Sequence, residues 1–248
     1  MTMPARDTQA SRAAPFEANG RKYLRRPVPV RFPEEATVPE TDAHQTRREL
    51  LAHSVRLALG DQALISSDQF LYWDPADPKK CLAPDLALRR GPAGTVPTWK
   101  VWERGAPELA VEVVSDSDRP PPRWKRGLRR YQATGVMELV RFDPRSAEPL
   151  RVWDRIDGDL VQRQLDEPDR AECTVLGLWW VVVPHPIHGR TLRLAHDHEG
   201  KRVLPTPEER EAEMRRVAER ERDQEAQARR AAEARIAELE AELVRRQQ

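Results

Sequence analysis

Apolar residues recur along this chain first at helical, then at strand, then at heptad-like spacing, and each change of period marks an element. Thr41 or Asp42 offers an N-cap, Leu51, Val55 and Ala58 follow at helical spacing, and Gly60 supplies the stop. The pattern predicts a helix between them. From Ala63 the pattern turns strand-like. "ALISSDQFLYW" predicts a strand broken by Asp74-Pro75-Ala76-Asp77-Pro78, and "LAPDLALRRG" predicts a second ended by Gly91-Pro92. "ELAVEVVS" predicts a third, nearly all apolar except for Glu112, as a central strand buried on both faces would be. A helix follows Pro120-Pro121-Pro122, with Trp124, Leu128 and Tyr131 on one face and Gly135 as its end. "VMELVRFDP" is the next strand, so this strand–helix–strand passage implies a parallel crossover. "LRVWDRIDGDLVQRQ" reads as a hairpin turning at Asp157-Gly158, and "ECTVLGLWWVVV", with its apolar run Leu176 to Val183, reads as a buried strand that finishes the globular part. Mixed strands with a few helices give an α/β or α+β domain around a mixed sheet.

Two flanking regions break these patterns. Residues 1–38 are polar, basic and Pro-rich, the composition of a flexible leader with some extended structure. After Pro205-Thr206-Pro207, residues 207–248 are rich in Ala, Glu and Arg without further Gly or Pro, as in a long solvated helix. There Ala232, Ile236, Leu239 and Leu243 alternate steps of four and three, like the seam of a coiled coil. Upstream the seam fades at Glu221, Gln224 and Arg235. The expectation is a tail that assembles the chain into a homo-oligomer, with a single exposed helix as the alternative.

Charge alters the picture less than its abundance suggests. Charged residues make up 33% of the chain, yet 42 Lys+Arg against 41 Asp+Glu leave a net charge of +1. Such a chain has no global field for nucleic acid, and binding DNA requires a local basic patch. Cys81 and Cys173 are the two cysteines and form no paired ligand motif, which fits a reduced, cytoplasmic protein. The N-terminal segment lacks the apolar core of a signal peptide, and no apolar run reaches the roughly 20 residues that a membrane helix needs, so no membrane partner is expected. His185 and His188, then His196 and His198, are spaced like zinc ligands, but the segment is broken by Pro and Gly and surface loops explain it better. Most of Trp73, Trp99, Trp102, Trp124 and Trp153 are expected in the core, with room for one exposed aromatic beside the Arg-rich helix.

The candidate chemistry lies in two carboxylates. Asp85 follows a proline in "APDLAL", and Glu112 stands inside "LAVEVVS". A carboxylate in an apolar strand is costly unless compensated, either by an Arg or Lys partner or by a divalent cation. The ordered series "VPETDAHQTRRELLAH", "FLYWDPADPKKCLAPDLALRRG", "TWKVWERGAPELAVEVVSDSD" and "LRRYQATGVMELVRFDP" resembles the Uma2 family of restriction-endonuclease-like proteins, also called DUF820. The resemblance covers Pro39 to Pro144 and continues loosely into "LGLWWVV". It implies a PD-(D/E)XK nuclease fold for residues 39–204, with Asp85 and Glu112 holding Mg²⁺ or Mn²⁺ and the carbonyl of Val114 completing the metal's shell. It also implies phosphodiester hydrolysis, with DNA as the partner. Glu40 and His44 match the family's first-helix residues, Glu40 as a third acidic candidate; Asp116 and Asp118 read as loop and cap residues.

The sequence departs from the pattern at one point. The fold's lysine belongs two residues beyond the Glu, where Val114 stands, and the family's belongs four residues before the tyrosine, where Gly127 stands. Arg123, Lys125 and Arg126 are the nearby cations, with Lys125 and Arg126 taken as the catalytic candidates. Two readings therefore stand: a metal-dependent DNA endonuclease, or a catalytically degenerate member that binds DNA or a protein partner and assembles through its tail.

Overall fold

In the computed structural model, residues 15–18, 21–24, 32, 41–94, 97–115 and 121–246 are described. Glu40, Asp116, Asp118, the side chain of Arg123 and most of the leader lie outside them. The leader contributes strands β1 (Pro15–Ala18) and β2 (Arg21–Leu24), paired antiparallel. Then come α1 (Asp42–Leu59), β3 (Ala63–Ser66), β4 (Leu71–Tyr72), β5 (Cys81–Leu82), β6 (Leu86–Arg90), β7 (Trp99–Lys100), α2 (Val101–Arg104) and β8 (Leu109–Val113). They are followed by α3 (Pro121–Thr134), β9 (Glu138–Phe142), β10 (Leu150–Ile156), β11 (Asp159–Gln162), β12 (Arg170–Cys173), β13 (Leu178–His185), β14 (Gly189–Ala195) and α4 (Pro207–Arg246). The fold class is mixed α/β with a long C-terminal helix.

The central sheet runs β11-β10-β9-β8-β6-β3. β8 and β9 are parallel, joined across α3 as the sequence predicts, and the other neighbours are antiparallel. Alternation along the strands gives two apolar faces. Leu86, Leu88, Leu109, Val111, Val113, Val140 and Phe142 pack with Leu51 and Val55 of α1 and with Trp180, Leu192 and Leu194 of β13 and β14. Ala87, Ala110, Leu139 and Trp153 point the other way, toward Tyr131 of α3 and Leu71, Leu82 and Trp99 of the small sheet β5-β4-β7. α1 begins with Thr41 accepting a hydrogen bond from the His44 N–H and ends at Gly60, whose φ of 55° favours glycine.

Three expectations are corrected. "ALISSDQFLYW" is two strands in different sheets, because Asp68 turns the chain at φ 56° with its N–H bonded to the Pro84 carbonyl. "LAPDLALRRG" divides likewise at Ala83-Pro84, where proline brings no N–H to a ladder. The globular part does not finish with "LGLWWVVV". That strand starts at Leu178 and is fully buried only at Trp180 and Val181, and β14 pairs along its whole length, adding Leu192 and Leu194 to the core. Phe32 of the leader sits edge-on to Tyr72, with ring centroids 4.9 Å apart. Among the described residues no helix is long and apolar enough to cross a membrane.

Candidate functional site

The start of β6 and the end of β8 meet at one edge of the core, and the two candidate carboxylates are there. Leu86 pairs with Val111, so Asp85 and Glu112 are the next residues out on neighbouring strands. Asp85 is 8% exposed and locked. Its Oδ2 accepts the Val113 N–H at 2.6 Å, and its Oδ1 lies 3.0 Å from Nε2 of His44 on α1. The Ser67 hydroxyl donates to its main-chain carbonyl at 2.7 Å. Glu112 is held from the other helix layer, where the Tyr131 hydroxyl of α3 donates to its Oε2 at 2.5 Å. The two acids are thus anchored to different helices. The peptide joining Glu112 to Val113 links them, because its N–H is the group that Asp85 binds.

A cavity of about 420 Å³ opens on the α3 side of this strand end. Glu112 and Val114 line it, together with Arg126, Gly127 and Arg130 of α3 and Arg141 of β9. Asp85 is not part of that lining. Lys125 is exposed and also lies outside the lining, whereas Arg126 contributes to it. Trp124 closes one side, its ring 5.2 Å from that of Trp153 and 4.9 Å from the guanidinium of Arg141. Trp99 and Trp153 are core residues, and among the described residues Trp124, half-buried, is the tryptophan that borders the cleft, alongside Tyr131.

Sequence reasoning missed Arg130 and Arg141 as cleft residues. Arg130 follows from the helical face, since residues 126, 127, 130 and 131 share one side of α3. Arg141 is a charge inside an otherwise buried strand, as Glu112 is, and that shared oddity was the available signal. Among the described residues no group of three or more His, Cys, Asp or Glu side chains could cage a metal. The His185 and His188 rings lie 4.9 Å apart, but His185 Nδ1 accepts the N–H groups of Ile187 and His188. That arrangement closes a turn between β13 and β14. Cys81 and Cys173 are free, and burial pushes both thiols up.

A family model described as "Uma2: Putative restriction endonuclease" matches residues 31–184, more than half of the chain. The chain belongs to the Uma2 family. Among solved structures, this Uma2 chain is similar to "a putative nuclease belonging to DUF820 from Anabaena variabilis". It is 13% identical, with a TM-score of 0.40, covering 73% of this chain and 87% of that one. No curated protein matches. Family membership makes this Uma2 chain restriction-endonuclease-like.

Proposed function

We propose that this Uma2 protein is a metal-dependent endonuclease that hydrolyses DNA phosphodiester bonds, with Asp85, Glu112 and the Val114 carbonyl as the ligands of Mg²⁺ or Mn²⁺. One observation carries the reading: Glu112 stands in a cavity wall with three guanidinium groups, and the peptide that follows it is bonded to the second carboxylate. Carboxylate and carbonyl oxygens are the donors that hard divalent cations take, and a carboxylate has about four lone-pair sites, more than the two contacts described for Asp85. A cation there supplies Lewis-acid polarisation of the phosphate and lowers the pKa of a water. The chain's own residues do the rest. Tyr131 fixes the Glu112 carboxylate, and His44 with the Val113 N–H fixes Asp85. Arg126 and Arg130 supply the local positive field for a DNA backbone that the net charge lacks. In this reading the protein works on DNA in the cytoplasm, and α4 assembles it into a homo-oligomer as a coiled coil.

The test is plasmid nicking in Mg²⁺ or Mn²⁺. Wild type should nick the plasmid, and Glu112→Gln should lower the rate by at least about 10². The absence of lysine at Val114 and Gly127 favours a second reading, a nuclease scaffold that only binds DNA or a protein. Wild type that binds DNA but nicks it in neither metal, with binding unmoved by Glu112→Gln, would select that reading.

A further inference from the structure

Asp85 stands between two strands. β5 ends at Leu82 and β6 begins at Leu86, so the main chain that carries its carboxylate lies outside both. The chain leaving β3 holds it instead. Ser66 pairs with Ala87, and the antiparallel register brings Ser67 and Asp68 alongside Asp85 and Pro84. There the Ser67 hydroxyl donates to the Asp85 carbonyl at 2.7 Å, and the Asp68 N–H donates to the Pro84 carbonyl at 3.1 Å. Two consecutive residues thus grip two consecutive carbonyls. The grip has Asp68 at a φ of 56°, a region that glycine enters without strain and aspartate only at a cost.

What aspartate adds over glycine is charge. Its Oδ2 lies 2.9 Å from Nη1 of Arg48, whose side chain is 15% exposed. Arg48 is one turn beyond His44 on α1, so the two share one face of that helix. α1 is a fixed reference: Leu51 and Val55 are in the core, and Arg47 donates to the main-chain carbonyls of His188 and Arg190. One helix face therefore holds Asp85 twice, its carboxylate through His44 and its main chain through Arg48 and Asp68. We infer that Arg48 and Asp68 are positioning residues that set the metal affinity of Asp85; the inference rests on Asp85 being a ligand, as proposed above. An ion pair near the surface contributes little by itself. This one holds a strained residue, and strain persists only where the surroundings over-determine it. Groups that orient a ligand without touching the metal typically change its affinity by about 10–100-fold.

Mn²⁺ binding to the DNA-free protein, read from the electron paramagnetic resonance of the free ion, and thermal unfolding in EDTA test this together. Arg48→Gln and Asp68→Gly should each weaken Mn²⁺ binding by about tenfold or more. Asp68→Gly should still melt within about 3 °C of wild type, because glycine keeps the turn. A merely structural role would move melting and leave the affinity in place. The double variant should bind no more weakly than the weaker single one, because the two side chains act as a unit; losses that multiply overturn the pairing. If Arg48→Gln is unfolded at the assay temperature, Asp68→Gly decides alone. Asp68→Gly binding Mn²⁺ within about threefold of wild type, while Glu112→Gln weakens binding by about tenfold or more, overturns the assignment and leaves the metal-site reading intact. Wild type that binds no Mn²⁺, or Glu112→Gln that binds it as wild type does, removes both.

Discussion

Asp85→Ala should destabilise the protein even where no metal is present. The carboxylate accepts the Val113 N–H at 2.6 Å and lies 3.0 Å from His44 Nε2, and Val113 is 1% exposed, so water cannot replace the lost acceptor. Leaving one buried donor unsatisfied costs about 1–3 kcal/mol. At about 2 kcal/mol, a chain of this size should lose about 4–8 °C in Tm. The opposing effect is desolvation, since a buried carboxylate is itself costly and its removal relieves that cost. The hydrogen bonds should win, because both carboxylate oxygens have partners. The assay is thermal unfolding by circular dichroism in EDTA near neutral pH. Glu112→Gln is the comparison: its amide oxygen can still accept from Tyr131, so its Tm should move by roughly half as much or less. Asp85→Ala melting at or above wild type in EDTA would refute the reasoning and mean that Asp85 is held in a strained, metal-demanding state. The expected result also bears on activity assays, because lost cleavage in Asp85→Ala would mix fold and chemistry, whereas Glu112→Gln would report chemistry.

Gly127→Ala should raise stability by about 1 kcal/mol, or about 2–4 °C, because a β-carbon there meets Trp124 at an ordinary 3.7 Å and the helix gains a better former; a lower Tm would mean that α3 needs the gap. Full-length protein should sediment as an oligomer through the exposed Ile236, Leu239 and Leu243 of α4, and a chain ending at Leu204 as a folded monomer; monomers in both cases would end the coiled-coil proposal. Glu209 anchors the first turn of α4 to β14, and its hydrogen bond with Arg193 holds its carboxyl below the usual value. A lowered folded pKa gives stability that is present above the unfolded value of 4.5 and lost as pH falls through the folded one. The Tm gap between wild type and Glu209→Gln should therefore be constant near neutrality and close below pH 4.5; a gap that widens on acidification would contradict this.

Elements whose cause is local were legible in the sequence. The Asp157-Gly158 hairpin forms because both residues adopt positive φ, 49° and 92°, as a two-residue type I′ turn requires. α1, α3 and α4 carry their spacing and stops in the chain itself. What failed was membership. "ALISSDQFLYW" and "LAPDLALRRG" each contain enough β-formers for one strand, and nothing in their periodicity says that Asp68 and Pro84 pair with each other and send the halves to different sheets. β14 was missed because "GRTLRLA" alternates weakly and follows a histidine-bearing turn that drew attention to ligands instead.

The site divides along the same line. Glu112 was visible because its own strand is apolar, and Asp85 because a resemblance pointed to it. The ties that hold them were not visible, since His44 is 41 residues from Asp85 and Tyr131 is 19 from Glu112. Along α3, near the expected lysine position, the sequence offers Lys125, which lies outside the cavity lining, and Arg126, which contributes to it. Arg141 could not be found that way, because its place beside Glu112 depends on the register of a parallel pair closed by a helical crossover. Spacing within one element fixes a face, whereas pairing between elements fixes a neighbour. A residue that lines a cleft can therefore come from the next strand without leaving any trace in the local motif.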